Sequence, residues 1–468
     1  MKKIQAKEQG QILVLLILVF IGIIAFAALA MDGGMIFSDR RYSQNAADAA
    51  SLAGATKAGE YFNNYVSGTG EPILNSNFTC DGAYIPQAKN IALDESEASA
   101  AQNNFSVAKG DTSAESHVEV TCVDNGSDAP PYNKYLAVKV QITNQTTSNF
   151  AHLFYPGPLK GTVEAVTKLY PGFNVGMGQG LLATCNNIKD ATKEGIIISG
   201  TAKAIIKNAG AFSNCSIIAN GGGTIDAEGG SITYVVGYDG QLENFDPDPS
   251  QVTDTYSAPP SSSIVTSADC INYSNPAKDP GVKNKESVTI NPGTYKSISQ
   301  SGGVLTLNPG LYCITEKGGF VTTGGATIGD GVTIFMLDGG IKIAGNTGVN
   351  KDGVESTTSL RAPYIDTDRD LRWYGYLIVM DDGNAPDNNP LKYSVDITGT
   401  TETDFVGTIY APNHNVKLTG DSTTETDEVT FSTQVIGNTI TLAGTPIISV
   451  QYNSEYAPYF EPSLDLHK

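Results

Sequence analysis

The sequence is short of basic residues and lacks the common motifs for metals, nucleotides and catalysis. Lys and Arg number 29 against 49 Asp and Glu, for a formal net charge of −20, and nucleic-acid phosphates repel such a chain. The 6 cysteines contain no CxxC pair and the 4 histidines are scattered, which argues against a zinc site. No Gly-x-Ser-x-Gly string, P-loop or dinucleotide fingerprint occurs. The sequence therefore predicts no nucleic-acid partner, no metal, no cofactor and no enzyme activity.

The cysteines indicate disulfides instead. An even, widely spaced set is typical of an oxidising compartment, and the alternative is a set of six buried free thiols in a cytoplasmic protein. Six cysteines allow 15 pairings, so the connectivity stays open. We favour sequential pairing because each pair then stays within one of the segments described below: Cys80–Cys122, Cys185–Cys215 and Cys270–Cys313.

The N-terminal region contains an uncharged apolar run of 20 residues from Ile12 to Met31. A helix of that length is about 30 Å long and crosses a hydrocarbon core. Lys2, Lys3 and Lys7 precede the run, and positive charge marks the cytoplasmic side. We therefore predict a single-pass anchor over residues 12–31, with the N-terminus inside and the bulk of the chain extracytoplasmic. The alternative is a cleaved secretory signal ending near residues 28–30, although the run exceeds the usual signal core of about 7–15 residues.

A family resemblance follows from the residues around this run. The stretch that begins GQILVLLILVF and ends SQNAADAASLAGA (10–55) resembles TadE-like and TadG-like proteins of the Flp, or tight-adherence, pilus system. Twelve positions carry it: Gly10, Gln11, Asp32, Gly34, Arg41, Gln44, Asn45, Ala46, Ala47, Asp48, Ala49 and Ala50. The resemblance implies a bacterial cytoplasmic-membrane protein that works in pilus assembly or adhesion with other Tad or Flp components.

Two features of related proteins are absent from the sequence. The position five residues after Gly10 is Leu15 instead of the glutamate of processed pilins, so cleavage by a prepilin peptidase is not implied. No Asp-x-Ser-x-Ser string occurs either. The metal-dependent adhesion site that TadG-like proteins often carry is therefore not expected.

Small residues recur every four positions in the alanine-rich stretch, at Ala46, Ala50 and Gly54. They line one helical face, where short side chains allow close approach of a helix or a sheet. The approaching element belongs either to a partner protein or to the chain itself. We expect this helix to continue the membrane span as a pilin-like stalk.

Three segments are predicted: residues 1–60, the anchor and pilin-like helix; 61–182, a small α+β head; and 183–460, an all-β region. The head combines a helical pattern over 86–105 with strand-like alternation over 117–123, 135–143 and 161–170.

The all-β region contains an internal repeat of short strands and glycines. Asn-Pro-Gly-x-Tyr occurs at Asn291 and again at Asn308, with Thr289 and Thr306 in register. This pattern predicts a right-handed parallel β-helix, with a β-sandwich as the alternative. Excursions are expected over 240–286 and 350–374. The predicted interior residues are Ile290, Leu307, Ile334, Ile341, Ile343, Ile397, Ile409, Val416, Ile436 and Leu442.

Acidic and basic residues in this region give the main alternative function. Asp366, Asp368 and Asp370 alternate like calcium ligands, but Leu371 and Leu377 occupy the positions where an EF-hand needs glycine and glutamate. A β-helix that binds or cleaves a surface glycan could instead use an arginine base near paired carboxylates; the candidates are Arg361 or Arg369 with Asp381 and Asp382. Fold alone does not warrant that activity. The four histidines, His117, His152, His414 and His467, are interpreted as packing or surface residues because none has a partnered nucleophile.

Overall fold

The structure is a computed structural model that describes residues 11–64, 73–75, 78–124, 134–148, 150, 157–253, 255–364, 372–383, 394–421, 427–445, 447–453 and 456–467. The chain divides into two compact units. Unit 1 comprises residues 1–173 and 461–468, and unit 2 comprises residues 174–460. The expected boundary at residue 60 therefore falls inside unit 1.

Two helices belong to unit 1. Helix α1 runs without interruption from Gln11 to Asn64. Alanine and leucine, which are among the best helix formers, are frequent in it, and it contains no proline. Helix α2 spans Ile85–Gln102 and has a proline in its first turn, where the missing N–H costs nothing. Its buried residues include Ala88, Ala92 and Ala100. The predicted helix over 86–105 is thus confirmed, with its end three residues earlier.

Most of the strands are short, although β28 (Asp404–Asp421) and β29 (Glu428–Thr445) in unit 2 span 18 residues each. Those of the first unit are β1 (Ala108–Lys109), β2 (His117–Asp124), β3 (Lys134–Thr146) and β4 (Leu159–Tyr170), and β5 is Phe173–Asn174. Unit 2 continues with β6 (Leu181–Ala183), β7 (Gly195–Ile198), β8 (Lys203–Lys207), β9 (Ala211–Ser213), β10 (Ser216–Ala219), β11 (Thr224–Glu228), β12 (Ile232–Tyr234), β13 (Gly237–Asp239), β14 (Phe245–Asp246), β15 (Ser250–Gln251), β16 (Ser287–Ile290), β17 (Gly293–Tyr295), β18 (Ile298–Leu307), β19 (Gly310–Ile314), β20 (Phe320–Gly329), β21 (Val332–Met336), β22 (Ile341–Ala344), β23 (Thr347–Val349), β24 (Glu355–Thr357), β25 (Ser359–Arg361), β26 (Tyr376–Met380), β27 (Val395–Gly399), β28 (Asp404–Asp421), β29 (Glu428–Thr445), β30 (Ile447–Gln451) and β31 (Tyr459–Phe460). The last strand, β32 (Ser463–His467), returns to unit 1.

The sheet of unit 1 has the order β1-β2-β3-β4-β32. Its long strands pair antiparallel, and burial alternates along β3 from Lys134 onward, as expected for a sheet with one covered face. The core of the unit combines this face with small residues of α1 and α2. The three strands predicted for the head are confirmed, and a disulfide joins Cys80 to Cys122 in β2.

Unit 2 is a mostly β body in which the short strands pair in parallel and form successive layers. One end of the stack is the layer 232–246, which pairs through β12, β13 and β14 with 211–228, and β15 pairs with the outer side of β12. The layer 211–228 pairs with 181–207. The layer 181–207 then pairs with β29 and β30, at residues 428–451. The stack continues through the strands within 404–421, 359–399, 326–344 and 304–322 to β16, β17 and the start of β18.

The order of the layers differs from the order of the sequence. In an ordinary solenoid each coil pairs with the next one along the chain, and this chain departs from that order at one point. The chain starts in the middle of the stack, at 181–207, builds outward to 251, and resumes at the opposite end at residue 277. The last layer, 428–451, then closes against the first.

A return segment, residues 252–286, connects the two ends of the stack. The expected excursion over 240–286 begins later than predicted, because β14 and β15 still pair with the layers. Its second half rejoins the stack, where Ala277 and Val282 bridge to Tyr295 and Gln300. The other expected excursion, 350–374, starts as the hairpin β23–β24, but β25 at Ser359–Arg361 pairs within the stack.

The interior of the stack is a single apolar cluster. All ten predicted interior residues are buried, and nine belong to this cluster. The exception is Ile436, which packs in a second cluster together with Tyr256, Ile264 and Val265 of the return segment. The repeat at Asn291 and Asn308 is confirmed by the pairing of Thr289 with Thr306 and by a hydrogen bond of 2.8 Å from Asn308 Nδ2 to Asn291 Oδ1.

Candidate functional site: the anchor helix and its packed half

The first half of α1 exposes large apolar side chains. From Leu13 to Met31 these side chains are 50% to 78% exposed, with Phe26 the most exposed. Water strongly disfavours such a surface, whereas a lipid bilayer accommodates it. Within the described part of the chain, α1 is the one helix long and apolar enough to cross a membrane. This half of α1 is therefore a membrane-spanning candidate by length and composition.

Two aspartates fasten α1 to the sheet where the apolar run ends. Asp32 is 3% exposed and its Oδ2 accepts a hydrogen bond of 3.1 Å from the backbone N–H of Phe150. Asp39 Oδ2 accepts one of 2.7 Å from the Thr146 hydroxyl. Both donors lie at or just beyond the end of β3. The acidic residues after the span thus have a positioning role, which the sequence did not indicate for Asp39.

Two polar side chains further along α1, Gln44 and Ser51, continue this attachment. Gln44 donates from Nε2 to Asp48 Oδ1 at 2.8 Å and to the Glu164 carbonyl at 3.1 Å. The hydroxyls of Ser51 and Thr167 lie 2.9 Å apart and both are buried. Because β4 supplies Glu164 and Thr167, these contacts fix the register of α1 against the sheet.

The small face of α1 packs within unit 1. Ala46, Ala47 and Ala50 are at most 1% exposed and belong to the core of this unit. At Gly54, an added Cβ lies 2.1 Å from Ser96 Oγ and 2.6 Å from the Ala92 carbonyl oxygen of α2, so only glycine fits this helix crossing. The hypothesis that Ala46, Ala50 and Gly54 face a partner protein is wrong, because α2 and the sheet already occupy that face.

The other motif positions lie elsewhere on α1. Arg41, Asn45 and Ala49 are exposed, and Gly34 is exposed with nothing within 4 Å of an added Cβ. Gln11 begins the helix, and Gly10 lies outside the described residues. The motif thus divides into residues that build unit 1 and residues that lie on its surface.

The carboxylates considered for carbohydrate chemistry hold the return segment. Asp382 Oδ2 accepts a hydrogen bond of 2.6 Å from the Ser261 backbone N–H, and its Oδ1 accepts one of 3.0 Å from Asn413 Nδ2. The Ser261 hydroxyl donates to Asp381 Oδ1 at 3.3 Å. The nearby hydroxyl of Tyr410 donates to the Pro259 carbonyl. Nothing in the sequence marked Ser261 or Tyr410 as anchors for this segment.

The predicted arginine partner is engaged with a different carboxylate. Arg361 donates from Nε to Asp404 Oδ2 at 2.8 Å, and this hydrogen bond and charge hold the pKa of Arg361 above its ordinary value. Arg369, Asp366, Asp368 and Asp370 lie outside the described residues. The arrangement of Arg361 with Asp381 and Asp382 expected for cleavage chemistry is therefore not formed.

His414 is a buried residue between these anchors. It is 1% exposed, with Nδ1 3.2 Å from the Ser394 hydroxyl and Nε2 3.1 Å from the Asp381 carbonyl oxygen. Burial lowers its pKa, although the Asp381 carbonyl and the two neighbouring carboxylates act in the opposite direction. His414 is thus favoured in its neutral form, and it contributes hydrogen bonds to the layer.

Comparison with known proteins bears on the N-terminal region. Residues 10–57 match the family "Putative Flp pilus-assembly TadE/G-like". The match covers the apolar half of α1, the two fastening aspartates and the small face. No curated protein and no solved structure matches the chain. The resemblance stated from the sequence is thus confirmed for this domain.

Proposed function

We propose that the chain is a membrane-anchored, extracytoplasmic structural protein of Flp pilus assembly or tight-adherence surface attachment. The observation that carries the proposal is the match of residues 10–57 to the TadE/G-like family, because it coincides with the apolar half of α1 and with the start of unit 1. The lysines before the span favour a cytoplasmic N-terminus. Everything after Met31 then lies outside the cytoplasm.

The three disulfides support this location. They join Cys80 to Cys122, Cys185 to Cys215 and Cys270 to Cys313, the same pairs that we favoured from the sequence. Structural disulfides persist in oxidising compartments and are rare in the bacterial cytoplasm.

We also propose that unit 2 is a right-handed parallel β-helix that acts as a scaffold without catalysis. The parallel registers between layers support the first part, together with the strong preference of parallel crossovers for right-handed connections. The contacts of Asp381, Asp382 and Arg361 support the second part, because these side chains serve the fold. Glycan binding or cleavage by this region remains the alternative, to be tested by sugar release from acidic polysaccharides with calcium present.

Topology is tested by fusing alkaline phosphatase or a green fluorescent protein to the C-terminus. We expect active phosphatase, a dark fluorescent protein and retention of both fusions in the membrane fraction. A soluble mature chain that begins near Met31 would show a cleaved signal instead.

Function is tested by deleting the gene and scoring pilus-dependent attachment. Attachment should be lost and should return with the full chain, while a chain whose residues 12–31 are replaced by a cleavable signal should fail to restore it. Capture of the anchored protein should recover Tad platform or pilin subunits. Normal attachment in the deletion strain would refute the proposed function.

A further inference from the structure

The two ends of the unit 2 stack present open strand edges. At the first end, residues 229–251, β15 already pairs with the outer edge of β12. The neighbouring strands β13 and β14 pair with β10 and β11, and no described residue pairs with the outer edges of β13 and β14. At the second end, residues 271–290, the bridge residues Ala277 and Val282 and strand β16 form the last layer. Open parallel edges carry unpaired backbone groups that readily accept a further strand.

Exposed apolar side chains concentrate at these same ends. The first end exposes Val236, Tyr238 and Leu242, and Leu242 is 50% exposed. The second end exposes Ile271 and Tyr273 at 60% and 48%. The remaining large apolar residues with comparable exposure in the described part of unit 2 belong to the β23–β24 hairpin, which bridges to the second end through Asn350 and Lys285. The lateral faces of the stack lack such residues among those described.

The charges of the two ends are opposite. The first end carries Asp239, Glu243, Asp246 and Asp248, all exposed, and its sequence from 229 to 251 contains no Lys or Arg. At the second end, three lysines are exposed: Lys278, Lys283 and Lys285.

The acidic residues of the second end are engaged by its own backbone. Asp279 Oδ1 accepts hydrogen bonds from the N–H groups of Gly281 and Ser299, and Glu286 Oε2 accepts one from Lys283 N–H. These hydrogen bonds fix the positions of the two carboxylates but leave their charge, so three lysines and two acidic residues give residues 271–290 a formal net charge of +1.

We propose that unit 2 associates head to tail with a second copy of this chain, the acidic first end of one copy stacking on the lysine-bearing second end of the next. Both edges are parallel, so the stack continues in one direction across the junction. The contact joins two different surfaces and is heterologous, which allows open-ended growth. The net charge of −20 opposes association of two copies at long range. At physiological salt the screening length is about 8 Å, so the charges that face each other at the junction determine whether the copies associate. This inference goes beyond the proposed pilus function and does not depend on it.

The first test identifies the contact by photocrosslinking. A benzophenone amino acid replaces Leu242 in the full chain, purified in detergent. We expect a species of twice the monomer mass whose crosslinked peptide falls within residues 271–290 of the second copy. The same probe at Lys203, an exposed position of β8 in the middle of the stack, should give no such species. A crosslink to residues 229–251 of the second copy, or to detergent alone, would overturn the proposal.

The second test reverses charge. Lys283→Glu with Lys285→Glu should lower the crosslinked yield by about tenfold or more, because like charges then face each other. Lys203→Glu with Lys317→Glu is the matched control, with the same net change at two exposed positions outside residues 229–251 and 271–290, and should leave the yield unchanged. Asp239→Lys with Glu243→Lys should also abolish self-association, and mixing the two end variants should restore it. Equal loss in the control, or no recovery on mixing, would refute the head-to-tail arrangement, whereas the proposed pilus function would stand or fall on the attachment assay.

Discussion

The packed half of α1 and the return segment both cover an apolar face of their own unit, but they are held there by different interactions. Each is a long segment that covers an apolar face built by other parts of its own unit. The helix satisfies its backbone internally and meets the sheet and α2 with alanine, serine and glycine residues. The return segment is irregular over 252–286 and relies on polar side chains of the stack, with Asn214 binding the backbone of Tyr256 through both its Oδ1 and its Nδ2.

This difference determines which changes each segment tolerates. A helix held by close backbone approach is sensitive to added volume and insensitive to the loss of one hydrogen bond. An irregular segment is sensitive to the loss of its anchors, since buried backbone groups then lose their partners. The following predictions test this contrast, from the largest expected effect to the smallest.

Removing the disulfide of the return segment should have the largest effect. Cys270→Ser with Cys313→Ser opens a link between residues 43 apart in sequence and should lower the free energy of unfolding of unit 2 by about 2–4 kcal/mol. The single tryptophan, Trp373, packs against the cluster beneath this segment, so its fluorescence in a denaturant titration reports the loss. Cys80→Ser with Cys122→Ser is the control and should leave this transition unchanged.

Added volume on the buried face of α1 should cause the second-largest loss of stability. Ala50→Leu forces a larger side chain into a fully buried site and should destabilise unit 1 by about 1–3 kcal/mol. Hydrogen exchange of peptides from β2, β3 and α2 measures the change. Ala49→Leu, one residue earlier on the exposed side, should alter exchange little. Equal effects of the two variants would show that volume on the packed face is not what limits α1.

Acid should weaken unit 2 through His414. Burial lowers its pKa in the folded state, so the unfolded chain, with a His pKa of about 6.5, takes up the proton first as pH falls. The free energy of unfolding should therefore be unaffected by His414 above that pH and should decline below it. The Trp373 transition measured from pH 7.5 to 5 should show a smaller decline in His414→Gln, and parallel declines in the two proteins would contradict this prediction.

The ion pair of the return segment should matter least. Arg372 Nη2 lies 2.6 Å and 2.7 Å from the two carboxylate oxygens of Asp269, but the arginine side chain is half exposed. Arg372→Gln should cost less than about 1 kcal/mol because solvent screens such pairs. A cost in the denaturant titration comparable to that of the cysteine variant would mean that single charge anchors, and not the disulfide, hold the segment.

Local pattern made much of the fold predictable. Alternation in the stretches that became β2, β3 and β4 identified the unit 1 sheet, and the positions from Ile290 to Leu442 identified the interior of the stack. The family motif located the anchor helix because its apolar run and ordered string lie within one continuous element. These features depend on neighbours a few residues apart, which is where sequence patterns are informative.

The features of the fold that the sequence did not predict depend on contacts between residues far apart in the chain. The pairing of Ile196 with Ile440 leaves no signature in either strand, since both read as ordinary buried strands. Ile436 lies outside the inner cluster because the return segment covers it, and the residues near Ile436 in sequence do not predict this contact. The small face of Ala46 and Gly54 was correctly predicted as a close contact, but pattern alone cannot say whether the approaching helix belongs to the same chain.

The permuted layer order affects how unit 2 folds during synthesis. As the chain is made, β6, β7 and β8 emerge early, yet the strands that cover one of their edges, β29 and β30, begin only at residue 428. At a synthesis rate of about 5–20 residues per second this edge waits roughly 10–40 s for its neighbour. An ordinary solenoid can be shortened from its C-terminus and keep a folded remainder. Here the final layer lies in the middle of the stack, so a chain shortened from its C-terminus loses the contact between the two halves. The nascent chain must be protected from edge-to-edge aggregation until β29 and β30 are made.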